Sequence, residues 1–500
     1  MHTLEQHFEP FRRGIVGYDQ TFRTPYGEQR IVYADWTASG RLYLPIERRL
    51  VEEIGPFVGN THSQSSLTGG AMTLAYREAR RILKAHVNAG PDDLLLMCGA
   101  GMTGAVNKFQ RLMGLKAPQA LRRYLNIPPV ERPVVFVTHM EHHSNHTSWY
   151  ETLADVVVIP PDARGEVDLS ALDELLQAHR ARQLKIGAFT ACSNVTGLRT
   201  PYHELARRMH RAGGIVLVDF AASAPYLPID MHPADPEARL DVVVFSPHKF
   251  LGGPGSAGVL VFDRALYHNT APDDVGGGTV NWTNPWGEYS FLDQVEERED
   301  AGTPAFLQTL RAALAVRLKE AMDTEVMARR EEEIVAYFTR GLQQIPGIHL
   351  LAPGLRHRLA IFSFYVENIH YNLVVRLLND RFGVQARGGC SCAGTYGHYL
   401  LHVDPARSHR ITNLIDHGDL SEKPGWVRMS FHPTTTRAEL DHGLRAVSEI
   451  VAHARDWGSD YEYSSHTNEF SHRGGDDSAA SHVPGWFRIA EPAPGAGAAR

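Results

Sequence analysis

Short apolar runs alternate with amphipathic segments through the first two-thirds of the chain. Segments with helical spacing, such as LSALDELLQAHRA and PYHELARRMHRAGG, separate several of these runs. Continuous runs rich in Val, Ile and Leu are typical of strands covered on both faces. Alternation with helices therefore predicts an α/β fold with a large, mostly parallel sheet. The runs lie at 94–98, 134–138, 155–160, 185–190, 214–220, 241–245 and 257–262.

The last third of the chain follows a different pattern. A long helical stretch near 304–343 leads into segments with strand, helix and strand patterns, and then into an amphipathic helix near 436–454. This order predicts a smaller α+β domain that carries a loop with two cysteines. We therefore expect an N-terminal segment (1–30) that joins the small domain, a large domain (31–340), the small C-terminal domain (341–455) and a tail (456–500). The tail is rich in Ser, His, Gly, Asp and Ala, so we expect it to be disordered.

Composition narrows the class of partner. The net charge of −7 argues against nucleic acid or an anionic membrane as a partner. No apolar run reaches the roughly 18 residues of a membrane span, and the opening MHTLEQHFEPFRR has no apolar signal core. Four cysteines are too few for a disulfide framework in a chain of 500 residues. We therefore expect a cytoplasmic protein that acts on a small molecule.

Polar groups follow several of the predicted strands. Lys249 lies just past the run at 241–245, and Asp219 ends GIVLVD. The turn GAGMTG (99–104) follows the first strand, and EHHSN (141–145) follows the second. Each has a simpler interpretation alone: a surface lysine, a capping aspartate, a tight turn or an exposed histidine pair. Because ligands bind at the carboxyl ends of parallel strands, the four together predict one binding crevice.

The chemistry of these groups suits pyridoxal phosphate. A lysine amine forms a Schiff base with the cofactor aldehyde, and a carboxylate such as Asp219 keeps the pyridine nitrogen protonated. An imidazole can stack on the ring. A Gly-rich turn that opens a helix offers backbone N–H groups to the phosphate, and Ser246 and His248 offer side-chain donors.

At this point the motifs resemble a known family. FSPHKFLGGPGSAGVLVF (245–262) resembles the Schiff-base segment of class-V aminotransferase-like enzymes, in particular the cysteine desulfurases and selenocysteine lyases. Similar segments run in the family order from about residue 30 to 455: YADWTASG, GNTHSQS, EHHSN, CSNVTG, VDFAAS and EDAGTP. The resemblance implies a fold-type I transferase dependent on pyridoxal phosphate. It also implies a homodimer whose sites lie at the subunit interface.

The resemblance also assigns roles to individual residues. It implies that Lys249 is the Schiff-base lysine, that His143 stacks on the cofactor ring, and that Thr303 reaches the phosphate of the neighbouring subunit. The implied cofactor-binding set is Gly101, Met102, Thr103, His143, Asn194, Asp219, Ala221, Ser246, His248, Lys249 and Thr303. The implied substrate-binding set is Asn194, Arg387 and Arg428. No metal is expected.

The stretch ARGGCSCAG (386–394) bears on the reaction. It resembles the family pattern R-x-G-x-x-C, which places the sulfur-carrying cysteine at Cys392. This predicts a cysteine desulfurase with Lys249, Cys392 and His143 as catalytic residues. L-cysteine would give L-alanine and a persulfide on Cys392, with an acceptor protein as a further partner. The C-x-C pair also fits a soft metal, a redox pair or a structural role, and the fold also hosts aminotransferases, epimerases, C–S lyases and non-catalytic scaffolds.

Three positions depart from the family pattern. Ala222 stands where the family has a glutamine that contacts the cofactor, and the candidate replacements are Ser223 and a water molecule. Cys390 is an additional thiol beside Cys392. The segment 393–427 is longer than in compact members of the family, and we expect it to reshape the pocket or the acceptor surface.

Overall fold

A seven-stranded sheet forms the centre of the protein. The computed structural model describes residues 3–61, 64–99, 101–354, 357–475 and 478–489. In spatial order the strands are Asp93–Cys98, Gly258–Asp263, Val242–Phe245, Ile215–Asp219, Lys185–Thr190, Val134–Thr138 and Asp155–Ile159. Gly258–Asp263 runs antiparallel to both of its neighbours, and the other pairs of this sheet are parallel. The prediction of a mostly parallel α/β sheet is therefore confirmed.

Helices cover the large sheet, as its apolar strands require. The strand Val242–Phe245 is fully buried, so neither of its faces is left to solvent. Asp168 caps one covering helix by accepting hydrogen bonds from the backbone N–H groups of Ser170 and Ala171. These helices are Leu67–His86, Gly101–Leu112, Thr147–Tyr150, Leu169–Ala178, Tyr202–Arg211, Val295–Arg298 and Phe306–Ala321, and a short exposed helix, Gln119–Arg122, follows the second of them. None of the helices among the described residues is long and apolar enough to cross a membrane.

A second, antiparallel sheet organises the C-terminal part. Its strands, in spatial order, are Ile348–Leu350, Ile361–Val366, Trp426–Ser430 and Arg387–Gly389. Helices Thr324–Gln343, Tyr371–Phe382 and Arg437–Trp457 pack against it. The expected domain boundary at 340/341 falls inside the first of these helices. Its residues Ile334, Phe338 and Leu342 are buried in the small core, so the helix packs as part of the smaller unit.

The N-terminal segment also joins the smaller unit. Arg12, on helix Leu4–Arg13, forms a bidentate ion pair with Glu439. The short strand Val32–Tyr33 pairs in parallel with Val384–Gln385. Further short elements are the hairpin Thr21–Thr24 and Gly27–Arg30, the helix Leu44–Arg48 with its π-helical extension Arg49–Ile54, and the exposed hairpin Val280–Thr283 and Tyr289–Phe291. The long segment after Cys392 contains the helices Gly394–Leu400 and Pro405–Asp416.

The expectation of a disordered tail is wrong for its first part. Strands Tyr461–Ser464 and Glu469–His472 form a hairpin. The hydroxyl of buried Tyr461 donates to Asp380 Oδ2 (2.8 Å), and the Asn468 amide donates to the Tyr371 hydroxyl (2.6 Å). A few aromatic and amide side chains hold the hairpin, although the average composition is polar. Helix Ser478–Trp486 follows, and 490–500 lies outside the described residues.

Candidate active site

A cavity of about 230 Å³ lies at the carboxyl ends of the central strands. It collects most of the residues predicted from the sequence: Gly101, Met102, Thr103, Asn194, Asp219, Ala221, Ser246, His248, Lys249, Arg387, Cys392 and Arg428. Its described lining also includes Thr37, Ala38, His142, Ser144, Thr190, Cys192, Ala222 and Ser391. The two domains both contribute to the lining, since residues from 387 onward come from the smaller one.

Lys249 and Asp219 form the chemical centre of this cavity. Lys249 ends a 3₁₀ turn, Pro247–Lys249, that follows the strand Val242–Phe245. Burial lowers the pKa of Lys249 to about 8, although the nearby Asp219 carboxylate opposes this shift. Burial raises the pKa of Asp219 to about 6, and the Ala221 N–H donates to its Oδ1 (2.8 Å). About a tenth of the lysine is therefore a neutral amine at pH 7, far more than of an ordinary lysine.

The start of helix Gly101–Leu112 forms an anion cradle. Gly101 has φ +62°, and a Cβ there would lie 2.8 Å from Ser246 Oγ, so the position requires glycine. Ser246 Oγ accepts a hydrogen bond from the Met102 N–H (2.8 Å), and the hydroxyls of Thr103 and Ser144 lie 2.7 Å apart. Backbone N–H groups, hydroxyls and the positive helix end together suit a phosphate.

Three buried polar atoms of lining residues lack partners. Asn194 Oδ1, Thr37 Oγ1 and Arg428 Nε form no hydrogen bond within the described part of the chain. Unpaired buried polar atoms are costly, so they are consistent with a ligand in the cavity. With the lysine, the carboxylate and the anion cradle, the residues present fit pyridoxal phosphate.

The structure places His142, not the predicted His143, in the lining of the cavity. His142 caps the turn His143–Asn145, with its Nδ1 accepting the Ser144 N–H (3.1 Å). Burial and the charge of Lys249 lower the pKa of His142 to about 3, which keeps the ring neutral. Adjacent side chains at a tight turn point in different directions, and the sequence shows two histidines without indicating which one faces inward.

His143 instead holds the cysteine loop. Its backbone N–H donates to the Cys392 carbonyl (2.7 Å), and its Nε2 accepts the Gly394 N–H (2.9 Å). The Asn194 amide adds a hydrogen bond to the carbonyl of Ser391 (2.7 Å). Three hydrogen bonds from the large domain thus fix the backbone on both sides of Cys392.

The two cysteines of the loop have different surroundings. Cys392 is exposed and lines the cavity; Cys390 is half-buried and does not. All four cysteines are free. Within the residues that the structure describes, no group of three or more His, Cys, Asp and Glu side chains is placed to hold a metal ion. The arrangement favours Cys392 as the thiol that meets a substrate.

The two predicted substrate arginines share a carboxylate partner. Arg428, on the strand Trp426–Ser430, is 3% exposed, and its Nη2 donates to Asp35 Oδ1 (2.8 Å). Arg387 Nε donates to Asp35 Oδ2 (3.1 Å). Arg428 Nη1 also donates to the Asn194 carbonyl (3.1 Å). Asp35 lies in the segment YADWTASG, but nothing in the sequence pairs it with the two arginines.

Two further positions differ from expectation. Ala222 presents only a methyl group to the cavity, and Ser223, its candidate replacement, is buried outside the described lining. Thr303 lies away from the cavity of its own chain, where its Oγ1 accepts a hydrogen bond from the Asn60 amide (3.3 Å). Ala222, Ser223 and Thr303 are therefore not seen to supply a side-chain hydrogen bond to this cavity within one chain.

Comparison with known proteins identifies the family. The sequence profile described as "Aminotransferase class-V" matches residues 32–442. The chain belongs to this family. It is accordingly an enzyme dependent on pyridoxal phosphate, as the motifs predicted.

The chain is also similar to individual known proteins, in sequence and in structure. The chain is 26% identical over 405 residues to "Probable cysteine desulfurase 2" of Mycobacterium leprae (strain TN), covering 79% of this chain and 91% of the relative. A structure described as apo cysteine desulfurase from Thermococcus onnurineus NA1 matches with a TM-score of 0.71 at 22% identity, covering 89% of this chain and 98% of that one. The S-sulfonic acid structure of the Escherichia coli cysteine desulfurase CsdA matches with a TM-score of 0.68 at 21% identity. The match covers 90% of this chain and 99% of that one. These structures share the fold.

The pKa of Lys249 predicts how the apoprotein takes up its cofactor. The rate of covalent attachment of pyridoxal phosphate should rise with pH through a midpoint near 8, because only the neutral amine attacks the aldehyde. Stopped-flow absorbance over a pH series measures this rate. A midpoint above about 10, the value of an ordinary lysine, would contradict the burial argument. Lys249→Ala should show no attachment after borohydride reduction.

The position of His143 predicts separate effects on loop and cofactor. His143→Ala should speed alkylation of Cys392 by iodoacetamide about fivefold, since a hydrogen bond worth about 1 kcal/mol is lost. His143→Gln keeps an acceptor for the Gly394 N–H and should react at the original rate. Peptide mass spectrometry separates Cys392 from Cys390. If His143 stacked on the ring, both variants would shift the cofactor absorbance band; here only His142→Ala should shift it.

Proposed function

We propose that the protein is a cysteine desulfurase that converts L-cysteine to L-alanine and carries the sulfur as a persulfide on Cys392. The observation that carries this proposal is one cavity lined by Lys249, by the exposed thiol of Cys392 and by two arginines. Relatives described as cysteine desulfurases support the same reaction. The terminal thiol of the substrate would meet Cys392 while its carboxylate meets the arginines.

Pyridoxal phosphate would be held by Lys249, by Asp219 at the pyridine nitrogen, by His142 over the ring and by the anion cradle. When bound, it supplies the sink for negative charge that forms on the amino-acid skeleton. Asp219 supports this role because its carboxylate is buried away from water. Asn194 Oδ1 and Thr37 Oγ1 offer hydrogen-bonding capacity that the protein leaves unused.

The chain's own residues perform the remaining steps. Arg387 and Arg428 orient the substrate carboxylate, and Lys249 accepts the proton from the substrate α-carbon. The Cys392 thiolate then bonds to the substrate sulfur as the carbon–sulfur bond breaks. The electron pair of that bond remains on the substrate β-carbon, which takes up a proton to become the methyl group. Lys249 then returns a proton to the α-carbon, which gives alanine. Cys392 is left with the sulfur as a persulfide, and a thiol or acceptor protein removes it.

We also propose a homodimer with sites completed across the interface. Thr303 offers a hydroxyl that its own cavity does not use. The hairpin Val280–Thr283 and Tyr289–Phe291 exposes Trp282 (51%), Trp286 (83%) and Tyr289 (59%). Aromatic side chains exposed to this degree favour an interface with another protein surface.

Replacing Cys392 tests the reaction directly. Cys392→Ala should keep the cofactor absorbance but lower alanine formation from L-cysteine at least about 100-fold, because the sulfur acceptor is lost. Cys390→Ala is the matched control and should keep most of the activity. Alanine and sulfide are measured with excess reductant. A Cys392→Ala enzyme at full rate, or keto acid or inverted amino acid as product, would instead indicate an aminotransferase, epimerase or C–S lyase.

A further inference from the structure

The hairpin of the tail lies beyond the part of the chain that matches the family. The matched residues end at 442, and strands Tyr461–Ser464 and Glu469–His472 follow later in the chain. The turn of the hairpin contacts the end of the long segment after Cys392, where the Leu420 N–H donates to the Ser465 carbonyl (2.8 Å). The hairpin is therefore an addition to the family fold that reaches the cysteine-bearing part of the smaller domain.

Asn468 makes the central contacts of this hairpin. It is 7% exposed, and its side-chain amide donates to the Tyr371 hydroxyl (2.6 Å). Its backbone carbonyl accepts a hydrogen bond from the Asn372 side-chain amide. The Tyr371 hydroxyl in turn donates to the Lys423 carbonyl (3.2 Å). One residue of the tail therefore holds two neighbouring side chains at the start of helix Tyr371–Phe382.

These two side chains press on the backbone that leads into and out of the cysteine loop. A Cβ on Gly388 would lie 2.2 Å from Asn372 Oδ1, and a Cβ on Gly425 would lie 2.6 Å from Cζ of the Tyr371 ring. Both positions therefore require glycine, because only glycine allows so close an approach. Gly388 lies two positions before Cys390, so the contact is next to the loop itself.

We propose that the tail hairpin is a strap for the cysteine loop, with Asn468 as its positioning residue. His143 and Asn194 hold the loop from the large domain, whereas Asn468 holds the strands at its base from the tail. Loosening the hairpin would free those strands, so the loop would open more often. The proposal rests on the proposed function only in treating Cys392 as the reacting thiol.

The test removes the Asn468 side chain and measures how fast the half-buried Cys390 thiol reacts. Asn468→Gly causes no backbone strain, because glycine readily adopts the φ of +60° found at this position. In the full-length holoenzyme, alkylation of Cys390 by iodoacetamide should speed about fivefold, since a buried hydrogen bond that holds the base of the loop is lost. Asn368→Gly is the matched control. Asn368 is exposed and has the same φ of +60°, so its replacement should leave the rate unchanged.

Peptide mass spectrometry follows each cysteine separately and distinguishes a strap from general stability. Cys98 is buried in the large sheet and should stay as slow as before. An unchanged rate at Cys390 would overturn the proposal, and so would an equal acceleration at Cys98, which would show that the whole protein opens.

A second variant tests the same contact from its other side. Tyr371→Phe removes the hydroxyl that Asn468 holds but keeps the ring, and it should also speed alkylation of Cys390. Combined with Asn468→Gly, the two effects should not multiply, because both changes remove one shared hydrogen bond. Multiplied effects would contradict the strap. If Asn468→Gly does not fold, Tyr371→Phe alone is compared with Asn368→Gly, and an unchanged rate at Cys390 would again overturn the proposal.

The measurement is independent of sulfur transfer, because alkylation of Cys390 requires no substrate and no turnover. The desulfurase reaction can therefore fail in the Cys392→Ala experiment while the Cys390 rate rises as proposed, and the reverse also holds.

Discussion

The site depends on holding a lysine amine and a carboxylate together away from bulk water. Burial works against the charge on both groups, lowering the pKa of Lys249 to about 8 and raising that of Asp219 to about 6. The two shifts bring both groups close to neutral pH, where a small change of surroundings alters their protonation. The carboxyl end of a covered sheet, with strand ends aligned by their pairing, brings these two groups together without exposing them.

The second domain completes this site through long-range contacts. Arg387, Cys392 and Arg428 come from the small sheet and its loop, whereas Asn194 and His143 come from the large domain. Asn194 connects the parts, since its side chain holds the Ser391 carbonyl and its own carbonyl holds Arg428. Substrate recognition and thiol position are therefore linked through one residue, and a shift between the domains would move both.

Much of this arrangement could be predicted from the sequence because it follows from local pattern. Apolar runs identify the strands, and polar residues immediately after them identify Lys249, Asp219 and the cradle. Features that depend on tertiary packing could not be predicted. Two adjacent histidines look alike in sequence, and the choice between them depends on the turn at 143–145. Asp35 gains its role only through pairing with strands more than 350 positions away, and the tail hairpin depends on Asp380 and Tyr371.

The backbone conformation of the cysteine loop explains why the loop needs hydrogen bonds from Asn194 and His143. Ser391 and Cys392 both adopt left-handed conformations, with φ of 52° and 55°. For non-glycine residues each such conformation costs about 1 kcal/mol or more. Hydrogen bonds from Asn194 and His143 offset this cost while the loop is docked. Breaking them would let the backbone relax, so these hydrogen bonds hold the loop against its own backbone strain. In the proposed reaction the thiol first meets a buried substrate and then an external acceptor, and such a thiol would require a balance between docking and release.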